Sequence, residues 1–187
     1  MRNKNPELLA TCAALALLTV GLALVACGGK KTEGEGAKAP EAAPVVVATP
    51  PPAEPVAYTV VDATTGWGQL GVNRSIKGNT LVIGGKAYGS GLGTHAPARV
   101  NISFPATFKT LTGFCGLDDE DGPDGSVVFV ILDKEKVLFK SPIVRGGAPA
   151  IPFSVSVEGL SALTLVVEDG GDGMGYDHGD WVDLKLN

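Results

Sequence analysis

The strongest constraint on the fold of this chain is an alternation of apolar and polar residues that recurs from residue 57 to the C-terminus. A period of two places every second side chain on the same face of a β-strand. After residue 27, no segment carries the i, i+3, i+4 apolar spacing of an amphipathic helix. The alternation is clearest at residues 100–104, 151–157 and 182–186, and it predicts an all-β domain.

The segments between the apolar runs are rich in glycine and proline, which favour tight turns. Residues 57–187 contain 21 glycines and six prolines. Two runs are continuously apolar and predict buried strands, and four weaker runs are further strand candidates. Together with the alternating segments they give about nine short antiparallel strands, which predict a jelly-roll β-sandwich. The two continuous runs are residues 126–132 and 163–167, and the four weaker runs are residues 58–61, 80–83, 110–116 and 136–139.

The start of the chain has the composition of a targeting segment. Residues 1–26 combine a positively charged start, a charge-free apolar run and small residues at its end, as in a secretory signal peptide. A retained transmembrane helix is the alternative, because the run approaches the roughly 20 residues that span a bilayer. The LVAC motif at residues 24–27 resembles the bacterial lipobox. That resemblance implies acylation of Cys27 and a lipid-anchored protein of the bacterial cell envelope, at the outer membrane or the cell surface.

The next segment predicts a disordered tether. Residues 28–56 hold six of the chain's 13 prolines and are otherwise mostly small or charged. Such a composition cannot bury enough apolar surface to offset the entropy lost on ordering. The predicted organisation is therefore a signal peptide at 1–26, a lipidated Cys27 with its tether at 27–56, and one domain at 57–187.

Acidic residues outnumber basic ones by 15 to 10 in residues 57–187, and no basic cluster occurs there. This charge distribution argues against nucleic acid as a partner. Eleven of the 15 acids fall within residues 118–124 and 168–183. Surface charge is usually scattered, so this clustering indicates that the acidic side chains face solvent or bind a cation or another ligand. Cys115 is the one cysteine of the domain and is expected to be a small buried hydrophobe.

Three ordered motifs carry a family resemblance. They are GLGTHA at residues 91–96, FCGLDDEDGPDG at residues 114–125 and DHGDW at residues 177–181. In this order, and over about residues 65–187, they resemble the NPCBM family, a carbohydrate-binding module attached to some α-galactosidases and other glycoside hydrolases. The resemblance implies a galactose-binding-like jelly roll that binds a galactose-like or related glycan without catalysis.

Sugar binding needs polar groups for hydroxyls and an exposed aromatic face. The residues with hydroxyl-binding chemistry in the predicted loops are His95, Asp118, Asp119, Tyr176, Asp177 and His178. Three aromatic residues are candidate platforms on which a sugar ring could stack, and packing in the core is the alternative role for each of them: Trp67, Tyr88 and Trp181. Asx turns are the alternative role for Asp118 and Asp177, and an internal hydrogen bond is the alternative for His95. The YDHGDW segment, residues 176–181, is expected to join an acidic loop to the last strand.

Other functions fit the pattern less well. Oxygen-rich loops favour a structural calcium ion, with Asp119, Asp121 and Asp124 as candidate ligands, and no other cofactor is expected. The sequence lacks the CxxC and HExxH patterns of zinc sites. A small hydrolase would need two positioned carboxylates in a cleft, and the short turns of a sandwich enclose little, so a non-enzymatic protein is predicted. A protein-interaction or scaffolding role in the envelope is the alternative to sugar binding.

Overall fold

The computed structural model describes residues 57–187. These residues form thirteen β-strands, and the other regular element among them is a 3-10 turn at Asp119–Asp121. The strands are β1 (Thr59–Thr64), β2 (Gly71–Val72), β3 (Leu81–Ile83), β4 (Lys86–Tyr88), β5 (Gly91–His95), β6 (Ala98–Ser103), β7 (Thr110–Leu117), β8 (Ser126–Asp133), β9 (Lys136–Lys140), β10 (Val144–Arg145), β11 (Ile151–Ser156), β12 (Ala162–Asp169) and β13 (His178–Leu186).

Two antiparallel sheets and one hairpin make up the domain. The six-stranded sheet has the order β1-β6-β12-β8-β10, with β9 paired to β8. The five-stranded sheet has the order β11-β7-β13-β5-β2, and β3 pairs with β4 in a separate hairpin. The predicted all-β sandwich is therefore confirmed, and β13 occupies the centre of the five-stranded sheet.

The structure contains thirteen strands rather than about nine. Each of the nine predicted runs overlaps one strand, and the four additional strands are β2, β4, β5 and β10. Three of these are only two or three residues long, and β5 is a glycine-rich segment that is buried on every residue. A short or uniformly buried strand carries no alternation, so the period-two pattern does not report it.

The main core lies between the two sheets and is built from the inward side of each alternating strand. At its centre, the Trp181 ring meets Phe129 and Phe153 edge-on, with centroid separations of 5.0 and 5.5 Å. Such edge-to-face contacts add about 0.5–1.5 kcal/mol each to the free energy gained by burial. Cys115 is fully buried in the same core, as predicted.

The β3–β4 hairpin covers the outer face of the five-stranded sheet. Its Leu81, Ile83 and Tyr88 form a second apolar cluster with Val182 of β13. A side chain at Gly116 of β7 would clash with Ile83, so a glycine is required for the hairpin to lie this close to the sheet. The central strand β13 is consequently buried on both faces along much of its length.

The YDHGDW segment belongs mostly to a strand and not to a loop. The last strand begins at His178, four residues before the predicted start at residue 182. Tyr176 lies just outside it with a φ of 68°, a backbone conformation that turns the chain into the strand. The Tyr176 carbonyl accepts the His178 N–H at 2.9 Å and packs against Gly125, where a side chain would clash.

The predicted signal peptide, the acylation of Cys27 and the tether lie outside the described residues. Within residues 57–187, no helix has the length and apolar character needed to cross a membrane.

Candidate functional site

Two histidines lie side by side at one end of the five-stranded sheet. His95 ends β5 and His178 begins β13, and their Cα atoms are register partners. Cross-strand partners direct their side chains to the same face of a sheet, and the two rings meet edge-on with centroids 5.2 Å apart. The fold thereby joins the two histidines of the chain, which stand in separate motifs of the sequence.

Trp67 lies beside the histidine pair and is half exposed to solvent. Its indole is nearly parallel to the His178 ring, at 10° with centroids 6.1 Å apart, and is tilted relative to His95. Gly66 donates its N–H to the His95 carbonyl at 2.9 Å, and a side chain at Gly66 would clash with the Ala96 carbonyl. Because the backbones approach this closely, the indole is held over the end of the sheet while 53% of Trp67 stays exposed.

One hydrogen bond defines the roles of the His95 ring nitrogens. Nδ1 lies 2.7 Å from the Ala96 carbonyl oxygen, which can only accept, so Nδ1 carries the hydrogen. Burial lowers the pKa of His95 below its ordinary value and favours the neutral ring. In that form Nε2 has a free lone pair and can accept a hydrogen bond from a hydroxyl group.

His178 is held between two carboxylates of the 3-10 turn. Glu120 Oε1 lies 2.6 Å from Nδ1, and Asp121 Oδ2 lies 3.0 Å from Nε2. The turn follows β7, which is the neighbour of β13 in the sheet, so the sheet pairing brings the turn to the histidine. With a carboxylate on each ring nitrogen, the ring plane of His178 has a defined orientation.

The segment between β2 and β3 completes this polar wall. Ser75 Oγ and Asn79 Nδ2 donate to Glu120 Oε2 at 2.6 and 2.9 Å, and the Asn79 N–H donates to Ser75 Oγ at 3.1 Å. Lys77 forms an ion pair with Asp121. Four residues of this wall were not predicted as site residues, because in the sequence they are ordinary polar residues between strands: Glu120, Ser75, Asn79 and Lys77.

A buried carboxyl pair lies behind the histidines. Asp180 is two residues after His178 on the same face of β13, and it is fully buried between its register partners Gly93 and Gly116. Neither oxygen of Asp180 has a hydrogen-bond partner of good geometry within the described residues. Burial and the neighbouring Asp118 carboxyl raise the pKa of Asp180 well above its ordinary value, which favours a protonated form.

Comparison with known proteins places this architecture in a family. The model of the NPCBM/NEW2 domain matches residues 57–187. The chain belongs to the NPCBM/NEW2 family. This match confirms the family that the three sequence motifs predict.

The NPCBM domain has enzyme relatives and structural neighbours. It is 40% identical over 121 residues to alpha-1,3-galactosidase B of Akkermansia muciniphila, covering 63% of this chain and 15% of the length of that relative. It is also similar to the CBM51 module of Clostridium perfringens GH95, solved in complex with methyl-galactose, at 31% identity and a TM-score of 0.64, covering 69% of this chain and 94% of that one. The CBM51-2 and INT domains of Clostridium perfringens ZmpB, solved with GlcNAc, match at 24% identity and a TM-score of 0.63, over 68% of this chain and 29% of theirs, and show the same fold.

Two of the three candidate platforms are buried in the NPCBM domain. Trp181 is fully buried in the main core, and Tyr88 is buried in the cluster under the hairpin, where its ring centroid lies 6.2 Å from that of Phe114. A platform must present a ring face to solvent, so neither ring can stack on a ligand. Trp67 is the candidate platform whose exposure suits that role.

Asp118 and Asp119 bind backbone groups. Asp118 Oδ1 accepts the Glu120 N–H at 2.9 Å, the Asx turn that was its alternative role, and Oδ2 accepts the Val82 N–H at 3.1 Å. Asp119 Oδ1 accepts the Gly84 N–H at 3.0 Å. Both carboxylates therefore hold the β3–β4 hairpin, and their direct contact with a sugar stays a prediction.

Asp177 and Tyr176 differ sharply in exposure. Asp177 is fully buried, and its Oδ1 accepts the Ser126 N–H at 2.9 Å. Burial raises the pKa of Asp177 to about 6. Tyr176 is exposed, so of this pair only Tyr176 can reach a ligand from solvent.

The predicted calcium ligands Asp119, Asp121 and Asp124 do not converge. Asp119 binds hairpin N–H groups, Asp121 pairs with Lys77 and His178, and Asp124 is exposed. Within residues 57–187, no group of three or more His, Cys, Asp or Glu side chains is arranged to hold a metal ion. Structural calcium stays a prediction.

Proposed function

We propose that this chain is a non-catalytic carbohydrate-binding protein that takes a galactose-like sugar at Trp67, His95 and His178. The observation that carries the proposal is the half-exposed Trp67 indole held beside the two histidines. An indole face can pack on the apolar C–H side of a pyranose. His95 Nε2 can accept a hydrogen bond from a hydroxyl on the same ring, and Tyr176 is an exposed polar aromatic that precedes His178 in the chain.

The neighbouring structures support the class of ligand. The GH95 module of Clostridium perfringens was solved with methyl-galactose, and this chain covers 94% of that module. The absence of catalysis is supported by the positions of the carboxylates. A glycosidase needs two carboxyl groups that reach the scissile bond, whereas Asp118, Asp177 and Asp180 are buried and Glu120 is bound by Ser75, Asn79 and His178.

We also propose that acylated Cys27 holds the module at the bacterial cell envelope. This part of the proposal rests on the lipobox-like LVAC motif and the proline-rich segment that follows it. A membrane-anchored module would keep a glycan close to the cell surface.

Replacement of Trp67 tests the sugar site directly. Trp67→Ala should weaken binding of methyl β-galactoside by at least about tenfold in isothermal titration calorimetry, equivalent to about 1.4 kcal/mol, because alanine lacks the indole face on which the apolar side of the sugar would pack. The melting temperature should change little, since the ring is half exposed. Val137→Ala is the matched control, because Val137 is equally exposed but lies on β9 of the other sheet.

The result that would overturn the proposed site is unchanged affinity in Trp67→Ala. A wild-type protein that is silent on a broad glycan array and on methyl β-galactoside would overturn the sugar-binding function itself. Binding to a purified envelope protein would then identify the scaffolding role.

A further inference from the structure

The His178 ring carries a positive charge in this fold, because both of its nitrogens must donate a hydrogen bond. Nδ1 lies 2.6 Å from Glu120 Oε1, and Nε2 lies 3.0 Å from Asp121 Oδ2. An ionised carboxylate can only accept, and a neutral imidazole has a single N–H, so two such partners require the imidazolium form. Only 5% of the His178 side chain is exposed, so protein groups rather than solvent surround this charge. Asp121 also pairs with the Lys77 ammonium and therefore shares its charge between two cations.

Glu120 is the counter-ion that His178 does not share. The other groups on its carboxylate are neutral, since Ser75 Oγ and Asn79 Nδ2 donate to Oε2 at 2.6 and 2.9 Å. Only 7% of the Glu120 side chain is exposed, so water screens its attraction for the ring weakly. A buried charge that loses its partner is strongly unfavourable. Removal of the Glu120 charge should therefore leave His178 neutral.

The charged ring lies against the Trp67 indole. The two rings are 10° from parallel, with centroids 6.1 Å apart. A cation about 6 Å from the centre of an indole face is attracted by the π electrons of the indole. Trp67 belongs to neither apolar cluster of the described residues and is 53% exposed, so core packing does not fix its ring. The orientation of the indole therefore depends on the charged ring beside it.

The same charge acts on His95, the hydrogen-bond acceptor of the proposed site. The His95 and His178 rings meet edge-on with centroids 5.2 Å apart. Burial, and to a smaller extent the charge of His178, lowers the pKa of His95. A neutral His95 keeps the Nε2 lone pair that can accept from a sugar hydroxyl. His178 itself has both nitrogens engaged by carboxylates, so its role in the site is indirect.

We infer that Glu120 is a positioning residue of the sugar site, which acts on the ligand through the charge of His178 and without contacting the sugar. This inference rests on the proposed function and adds the residues that prepare the site for its ligand. Glu120 keeps His178 charged. His178 in turn holds the Trp67 indole and keeps His95 a hydrogen-bond acceptor.

The charge of His178 can be measured directly, because the chain contains only two histidines. The full chain is purified in detergent with 15N-labelled histidine, and the ring nitrogens are observed by NMR at neutral pH. We expect one ring with two protonated nitrogens and one neutral ring. His178→Gln should remove the charged ring from the spectrum, which assigns it. A neutral His178 in the wild type would overturn the inference without any further variant.

Glu120→Gln removes the charge and keeps the shape of the side chain. Methyl β-galactoside should bind this variant at least about fivefold more weakly, because the cation beside the indole is lost. In the same sample, the NMR signals of His178 should show only one protonated nitrogen. Glu168→Gln is the matched control, since Glu168 pairs with Lys140 on the six-stranded sheet, and it should change neither the affinity nor the His178 signals.

A double variant separates positioning from direct contact with the sugar. If Glu120 acts only through His178, adding Glu120→Gln to His178→Gln should weaken binding by less than about twofold further. Three results contradict the inference: losses that multiply in the double variant, wild-type affinity in Glu120→Gln, and a weakened Glu120→Gln whose His178 stays charged. A wild type that does not bind the galactoside overturns the proposed function and the positioning role with it. A wild type that binds with a neutral His178 overturns the inference alone.

Discussion

The orientation of His178 illustrates how single residues are fixed in this protein. Its ring lies between Glu120 and Asp121, and Glu120 is in turn held by Ser75 and Asn79. Each hydrogen bond of this kind contributes about 1.5–3 kcal/mol when a charged group takes part. Because both ring nitrogens of His178 and its partner Glu120 are already hydrogen-bonded, the His178 side chain loses little conformational entropy when a ligand binds next to it.

The buried Asp180 makes stability depend on pH. Its pKa in the folded protein is raised by burial and by Asp118, above the value of about 3.9 expected in the unfolded chain. The folded state therefore binds more protons, so stability is fully present below pH ~4 and is lost as the pH rises through the folded pKa. Asp177 acts in the same direction between about pH 4 and its folded pKa of about 6.

Asp180→Asn should remove most of this dependence. The amide is neutral at every pH, so the variant should be more stable than the wild type at pH 8. We expect a difference of about 1–3 kcal/mol in the free energy of unfolding, because this is the cost of burying a polar group without a hydrogen-bond partner. At pH 4 the two proteins should be nearly equal. Urea unfolding at both pH values measures this, with exposed Asp124→Asn as the control. A variant that is less stable than the wild type at pH 8 would contradict the explanation.

At the scale of elements, the β3–β4 hairpin links the sheet to the site. It packs Leu81 and Ile83 on the outer face of β13, and it is held by the Asp118 and Asp119 carboxylates of the turn that also orients His178. The hairpin has only three residues in each strand, and within residues 57–187 it pairs with no other strand. Such a short hairpin is not stable alone, so its position depends on these contacts.

Asp119→Ala should loosen the hairpin without unfolding the sandwich. The Gly84 and Gly85 N–H groups would lose their carboxylate acceptor, at 3.0 and 2.6 Å in the wild type. We expect hydrogen exchange at these two amides to accelerate by at least about tenfold, equivalent to about 1.4 kcal/mol. Exchange in β12, at the centre of the other sheet, should be unchanged. Asp133→Ala, at the β8–β9 turn, is the control, and equal protection in both variants would refute this role for Asp119.

At the scale of the whole molecule, the proposed membrane anchor is tested at Cys27. In a bacterial host fed an alkyne fatty acid, the wild-type chain should be labelled and should partition with membranes, because each buried acyl methylene contributes roughly 0.8 kcal/mol. Cys27→Ser should abolish both the label and the membrane association. Cys12→Ser, within the predicted signal peptide, should abolish neither. Label that persists in Cys27→Ser would exclude this anchor.

The sandwich core was largely predictable from local patterns. Alternation at residues 100–104 and 151–157 marks inward side chains of β6 and β11, and both strands are found with that face buried. The histidines, the acidic loop and the family were predictable because the motifs that carry them are short and contiguous in the sequence. The alternation did not indicate that the segment around Asp180 lies under a second layer, so its burial was not predicted.

Local sequence is sufficient to specify nine of the thirteen strands, their apolar faces and the residue types at the site, because strand periodicity is a property of neighbouring residues. It does not specify that Trp67 is exposed while Trp181 is buried, or that Glu120 rather than another acid contacts His178. Those facts follow from which distant segments cover each face of the five-stranded sheet. The β3–β4 hairpin and residues 66–79 cover that sheet. Their positions depend on glycines that allow close approach of two segments and on hydrogen bonds to carboxylates, and both kinds of contact form only when the chain is folded.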